Sequence, residues 1–204
     1  MLDLWLASNN SKKRLELERN LAGLPVRLRT PSELGQPFDP VEDQETFFGN
    51  ARRKAELLAQ LSGDLALGDD SGLCVDALDG GPGIRSARYG GPGLDDRGRL
   101  ERLLEELRDV PPERRGARFV CSLCLCGPDG SVLAAVEERC EGRLRMTPTG
   151  EGGFGYDPIF VPEEFVDDPA ASFATLSAEA KDRLSHRGKA LRKLVAAMRA
   201  VLLG

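Results

Sequence analysis

Asp69 and Asp70, followed at once by Ser71 and Gly72, set two carboxylates side by side after an apolar run. Hard oxygen ligands of this kind suit Mg2+ and the phosphates it accompanies. The same residues favour turns, but like charge concentrated beside a core carries a cost that a bound cation relieves. Glu42, in the acidic pair Glu42-Asp43, is the natural second carboxylate, although a helix N-terminus also attracts acids for dipole reasons. Ser8-Asn9-Asn10-Ser11-Lys12-Lys13 offers free backbone N–H groups at a helix start with lysines at hand, an anion seat as well as an ordinary cap. It is not a Walker loop, which needs Gly-x-x-x-x-Gly-Lys-Ser/Thr. In Gly152-Gly153-Phe154-Gly155-Tyr156-Asp157, aromatics alternate with glycines. A ring on so permissive a backbone can stack on a planar base, and Asp157 can accept from ring N–H groups; a tight turn with Phe154 in the core is the bland alternative. Lys181 and Ser185-His186-Arg187-Gly188 form the last cluster, and His186 is the only histidine in the chain. Beside Arg187 and at a helix start, it suits a hydrogen-bond donor better than a general acid.

These clusters fall at the ends of expected elements, where α/β folds place ligands. Leu2, Leu4 and Leu6 alternate as a strand, and Ser8 to Ser11 turn and cap a helix carrying Leu17, Leu21 and Leu24. Pro25 ends it ahead of a strand near 26–30. A second helix runs from about Glu45 to Leu61, with Phe48, Ala51, Ala55 and Leu58 inward, Arg52, Arg53 and Glu56 outward, and Asn50 and Lys54 sharing another face. Leu65-Ala66-Leu67 reads as a buried strand ending at Gly68, with Asp69 to Gly72 as the turn and a further extended piece over 73–77. The Gly-rich stretch from Gly80 to Gly93, carrying Arg85, Ser86, Arg88 and Tyr89, is a long loop. Leu100, Leu103, Leu104 and Leu107 mark a packing helix, and runs over 117–126 and 131–140 flank Gly127-Pro128-Asp129-Gly130 as a hairpin. The C-terminal helix carries Leu184, Leu191, Leu194, Val195, Met198 and Leu202.

At 204 residues, with 41% hydrophobic and 30% charged residues, the composition is that of a globular chain and the expectation is one domain over 1–204. A net charge of −5 argues against a nucleic-acid polymer as partner. The absence of a long apolar run or a leader-like N-terminus leads to the expectation of a cytoplasmic protein with no membrane partner. Five cysteines cannot all pair. Strand alternation sets Cys121 on the face opposite Cys124 and Cys126, so the three cannot converge on zinc and read as buried hydrophobes.

In this order, the clusters resemble the inosine triphosphate pyrophosphatase family, which acts on dITP, ITP and XTP. The carriers are Leu6-Ala7-Ser8-Asn9-Asn10-Ser11-Lys12-Lys13, Thr46-Phe47 with Asn50-Ala51 and Lys54-Ala55, and Asp69-Asp70-Ser71-Gly72-Leu73. With them stand Pro82-Gly83 with Ser86-Ala87-Arg88-Tyr89, the run Gly152 to Phe160, and Lys181 with Ser185-His186-Arg187-Gly188. The resemblance implies an α/β fold: an elongated mixed β-sheet flanked by helices, in two lobes with a central active-site cleft, forming a homodimer. It implies Mg2+-dependent cleavage between the α and β phosphates of a purine nucleoside triphosphate. Asp70 would be proton acceptor and metal ligand, Glu42 the second metal carboxylate, and Ser71 a substrate contact. Ser8, Asn9, Asn10, Ser11, Lys12, Lys13 and Lys54 would hold the triphosphate. Phe154, Gly155, Tyr156, Asp157, Lys181, His186 and Arg187 would form the base pocket, with His186 and Arg187 aimed at O6. The chain departs from the family pattern at Asn9, where a left-handed glycine is usual, and at Gly49, where an acid is common. A septum-inhibitor-type pyrophosphatase and a nucleotide-binding sensor without hydrolysis are the alternatives; a Nudix hydrolase lacks its Glu-rich signature here.

Overall fold

Alternation along β1 (Leu2–Leu6) sends Leu4 and Leu6 to one face and Trp5 to the other, and both faces are buried. The computed structural model describes residues 1–203, with side chains through Ala200; the Leu202 side chain lies outside the described residues. β1 belongs to a six-stranded sheet with β2 (Val26–Arg29), β3 (Leu65–Val75), β4 (Gly116–Cys126), β5 (Val132–Leu144) and β6 (Phe160–Pro162), in the order β2-β1-β3-β4-β5-β6. β1 pairs in parallel with β2 and β3, whereas β5 and β6 are antiparallel, so the sheet is mixed. The helices are α1 (Ser11–Asn20), α2 (Phe47–Ser62), α3 (Asp96–Glu106), α4 (Ala178–Leu184) and α5 (His186–Leu203).

The chain divides into two compact units, and β3, β4 and β5 each supply residues to both. The first comprises Met1–Asp70, Cys121–Glu138 and Arg187–Gly204. Its strands have a core on each face, sorted by residue parity. Leu4, Leu6, Leu67, Cys121, Leu123 and Leu125 pack with Leu17 of α1, with Leu21 just past the end of that helix, and with Leu191, Leu194 and Met198 of α5. Trp5, Ala66, Cys124 and Cys126 pack with Ala51, Ala55 and Leu58 of α2. The cysteines thus face as their alternation predicts, and all five are buried free thiols. The second unit, Ser71–Val120 and Arg139–His186, has a core of Leu73, Leu100, Leu103, Leu107, Phe119, Ile159, Phe160 and Phe173.

Three local expectations change. Asp69 to Gly72 is no turn: β3 continues through it to Val75, because neighbouring strands and charged partners from distant segments satisfy polar residues that would otherwise mark a break. Phe48 points outward, 38% exposed, because it lies in the first turn of α2, ahead of the Ala51-Ala55-Leu58 stripe that meets the sheet. Leu184 closes a separate α4, because Ser185 takes an extended backbone (φ −66°, ψ 154°) that breaks the helix before His186 starts α5.

Candidate active site

In the first unit, the site is built on a contact between β3 and α2 that only glycine allows. A Cβ at Gly68 would lie 1.8 Å from the Ala51 carbonyl oxygen and 3.1 Å from the Ala55 nitrogen. Helix and strand backbones therefore touch, and the i,i+4 pair Asn50 and Lys54 reaches the next strand residues. Asn50 Nδ2 donates to Asp70 Oδ2 at 3.1 Å, and Lys54 Nζ donates to Asp70 Oδ1 at 3.0 Å and to Glu42 Oε1 at 2.9 Å. Lys54, 6% exposed, is the cation shared by two carboxylates that come from segments far apart in sequence. Burial alone would lower its pKa, but Asp70 and Glu42 outweigh burial and raise it. Burial pushes the Asp70 carboxyl above its ordinary value, against the pull of Lys54 and Lys13.

Asp69, on the other face of β3, has a different environment. Lys13 Nζ reaches its Oδ1 at 2.5 Å, and Arg187 Nε reaches its Oδ2 at 2.7 Å. Arg187 also donates through a terminal nitrogen to Glu16 Oε2 at 2.7 Å. Burial opposes the charge on Asp69, yet Arg187 and Lys13 overcome it and hold the carboxyl well below the usual carboxylate range. Asp69 is therefore an anchor for two cations, whereas Asp70 takes up a proton more readily than a free carboxylate. The turn between β1 and α1 forms as its residues predict: Asn10 Oδ1 caps α1 by accepting from Lys12 N at 2.9 Å and Lys13 N at 3.2 Å. Asn9 does not take the left-handed backbone expected at its position, since Asp79 is the one non-glycine residue with positive φ among the described residues. The departure from glycine thus costs no strain there. Ser8 is half-buried, and Asn9 to Lys12 are exposed.

The second unit carries the aromatic cluster. Gly153, at φ 72°, passes so close to Asp157 that a Cβ would meet its Oδ2 at 2.1 Å. Asp157 Oδ2 accepts from Phe154 N and Lys181 Nζ, each at 2.7 Å, which fixes the loop and the lysine together. Phe154 is half-buried, and Lys181 Nζ stands 4.9 Å from its ring centroid. Gly155 N donates to Asp96 at 3.1 Å, so α3 also steadies this loop. His186 is 5% exposed, and its ring is stacked on Phe119.

Two residues expected in the base pocket, Tyr156 and Arg187, are buried and hydrogen-bonded within the protein. Tyr156 is 4% exposed in the core, and its hydroxyl donates to the Ser86 carbonyl at 3.0 Å, because the loop turns its ring inward. Arg187 is 3% exposed, and all three of its nitrogens contact Asp69 or Glu16, so the guanidinium serves carboxylates of its own chain. Ser71, on β3, is half-buried. Glu16 and Phe119 escaped the sequence reading, since one looks like a helix-surface acid and the other like a core aromatic. Asn50 carried a usable signal in its i,i+4 spacing to Lys54.

The donor set can be tested against a hard cation. Among the described residues no group of three or more His, Cys, Asp or Glu side chains could hold a metal. Mg2+ needs less, since it keeps several waters and takes phosphate oxygens with one or two carboxylates. Glu42 and Asp70, drawn to one ammonium, fit an ion that arrives with a triphosphate.

The sequence profile of the Ham1 family matches residues 4–197. The dITP/XTP pyrophosphatase of Rhodopirellula baltica is 46% identical over 195 residues, covering 96% of this chain and 92% of that protein. The dITP/XTP pyrophosphatase of Corynebacterium glutamicum is 47% identical over 197 residues, covering 95% of each. Among solved structures, a HAM1 protein from Coxiella burnetii superposes with a TM-score of 0.87 at 35% identity, over 98% of this chain and 100% of that one. The Staphylococcus aureus Ham1 protein gives 0.85 at 35% identity, over 98% and 99%.

Proposed function

The chain belongs to the Ham1 family, and from that premise we propose that it hydrolyses dITP, ITP and XTP to the nucleoside monophosphate and pyrophosphate. The observation that carries this reading is the Lys54 ammonium shared by Glu42 and Asp70, with Asn50 on the second Asp70 oxygen. Phosphoryl-type chemistry asks for positioning and charge neutralisation more than for covalent catalysis. That cluster, with Lys12 and Lys13 in the first turn of α1, supplies both.

In the reaction a water oxygen bonds to the α phosphorus, the bond from that phosphorus to the bridging oxygen of pyrophosphate breaks, and Asp70 takes the water proton. Burial makes Asp70 a stronger base than a free carboxylate, and Asn50 fixes its orientation. Glu42 and Asp70 would hold Mg2+, which when bound neutralises phosphate charge and eases deprotonation of water. Ser8 to Lys13, Lys54 and Ser71 hold the triphosphate. Phe154 stacks on the purine, Gly155 and Asp157 shape the loop beneath it, and Lys181 and His186 offer donors to its polar edge. A donor aimed at O6 is left unpaired by adenine, whose 6-amino group cannot accept, and that penalty rejects it. Tyr156 fixes the loop through its hydroxyl, and Arg187 holds Asp69 and Glu16.

The same reading makes the protein a homodimer in the cytoplasm, with neither nucleic-acid polymer nor membrane as partner; among the described residues no helix is long and apolar enough to cross a membrane. It also makes the chain one domain, because three strands continue from one unit into the other. The test is hydrolysis of dITP, XTP, dATP and dGTP with Mg2+, with pyrophosphate and orthophosphate measured separately. Pyrophosphate from dITP and XTP with little from dATP and dGTP is expected; orthophosphate as the main product, or tight dITP binding without turnover, refutes the reading.

A further inference from the structure

Phe119 lies on β4, away from every cluster that the sequence marks as chemical, yet its ring stacks on the His186 imidazole with centroids 4.8 Å apart and planes 11° from parallel. Phe173 is nearly parallel to Phe119 at 5.9 Å, and Phe160 meets Phe119 edge-on at 4.8 Å. Lys181 Nζ stands 5.9 Å from the Phe173 centroid and 4.9 Å from that of Phe154. The imidazole and the ammonium are thus seated on one buried aromatic cluster.

An imidazole has no strong intrinsic preference about its outer torsion, which is broad and roughly two-fold. A hydrogen bond from its N–H weakens steeply as it bends, so a donor that discriminates O6 from an amino group must be aimed before the base arrives. A parallel aromatic face confines that torsion without competing for either ring nitrogen, as a polar neighbour would. We propose that Phe119 is a positioning residue for base selection, fixing the plane of the His186 ring. This inference rests on the reading that His186 contacts the purine.

Because His186 is the only histidine, its ring protons form a single set of NMR signals. In the wild type, these signals should be shifted upfield by the Phe119 ring and show NOEs to it; free-imidazole positions without such NOEs overturn the proposal with no variant needed. Phe119→Leu keeps an apolar side chain but removes the flat face. It should return the signals downfield and lower the dITP-over-dATP ratio of kcat/KM about tenfold, with the loss for dITP falling on KM rather than kcat. Phe119→Tyr, which restores the ring, should restore both the shift and the ratio. A dispersed amide spectrum, recorded on the same samples as the imidazole signals, checks that both units of each variant fold. An unchanged ratio with unchanged imidazole signals in folded Phe119→Leu overturns the role of Phe119. A wild type without preference for dITP over dATP, its imidazole signals still shifted, would instead overturn the functional reading.

Discussion

Replacing Arg187 by methionine separates a structural hub from a base-reading donor. The guanidinium is 3% exposed and holds Asp69 at 2.7 Å and Glu16 at 2.7 Å, both of them buried carboxylates. Removing one partner of a buried ion pair costs about 3–5 kcal/mol, because the remaining charge stays desolvated. Lys13 remains on Asp69 at 2.5 Å in Arg187→Met, which places the expected loss at the lower end, about 3 kcal/mol. With a urea slope of about 2 kcal/mol per molar, the unfolding midpoint should fall by about 1.5 M. Arg187→Met combined with Asp69→Asn removes both charges, so the double variant should recover about 1–2 kcal/mol relative to the sum of the singles. Acid titration adds a signed check. The folded pKa of Asp69 lies below its unfolded value, so its contribution is complete above the unfolded pKa near 4 and is lost as pH falls below that. The wild-type midpoint should therefore drop more steeply from pH 5 to pH 2, roughly the range over which carboxylates protonate, than that of Arg187→Met. Equilibrium urea unfolding followed by Trp5 fluorescence measures all three. An Arg187→Met midpoint equal to wild type, with only KM for dITP changed, would refute the hub and make the guanidinium a base contact.

Gly68→Ala places a methyl 1.8 Å from the Ala51 carbonyl oxygen, so α2 must move away and carry Asn50 and Lys54 off Asp70. A stability loss of about 3 kcal/mol and a fall in kcat of about 100-fold are expected by denaturation and dITP turnover; wild-type values in both would show that the backbones are not in contact. Asp70→Asn should lower kcat about 10²–10⁴-fold while dITP binding measured by calorimetry persists, as removal of a general base requires. Turnover near wild type would take Asp70 out of the proton step. Phe154→Ala should raise KM for dITP about tenfold with little change in kcat, as loss of a stacking face does; an unchanged KM would put the purine elsewhere.

What local chemistry dictates was legible in the chain. The alternation of Leu2, Leu4 and Leu6, the Asn10 cap, the Gly127-Pro128-Asp129-Gly130 hairpin turn and the facing of Cys121 against Cys124 and Cys126 all follow from strand or helix periodicity and turn stereochemistry. So does the shared face of Asn50 and Lys54, an i,i+4 relation that any helix enforces. The clusters at Asp69-Asp70, at Gly152 to Asp157 and at Ser185 to Gly188 were visible as residue types, and the family resemblance followed from their order. The division of labour among them was not, because it depends on partners far along the chain. Asp69 and Asp70 are indistinguishable neighbours in sequence, but strand pleating points them to opposite faces of β3. One meets Lys13 and Arg187, 56 and 118 residues away, while the other meets Lys54 and Asn50 of α2. The same dependence made a strand of an apparent turn, gave Arg187 and Tyr156 buried partners far along the chain, and set Phe119 against His186. Sequence periodicity determines which way a side chain leaves its own element; only the packing of distant elements decides what it meets there, and with that its charge state and its role.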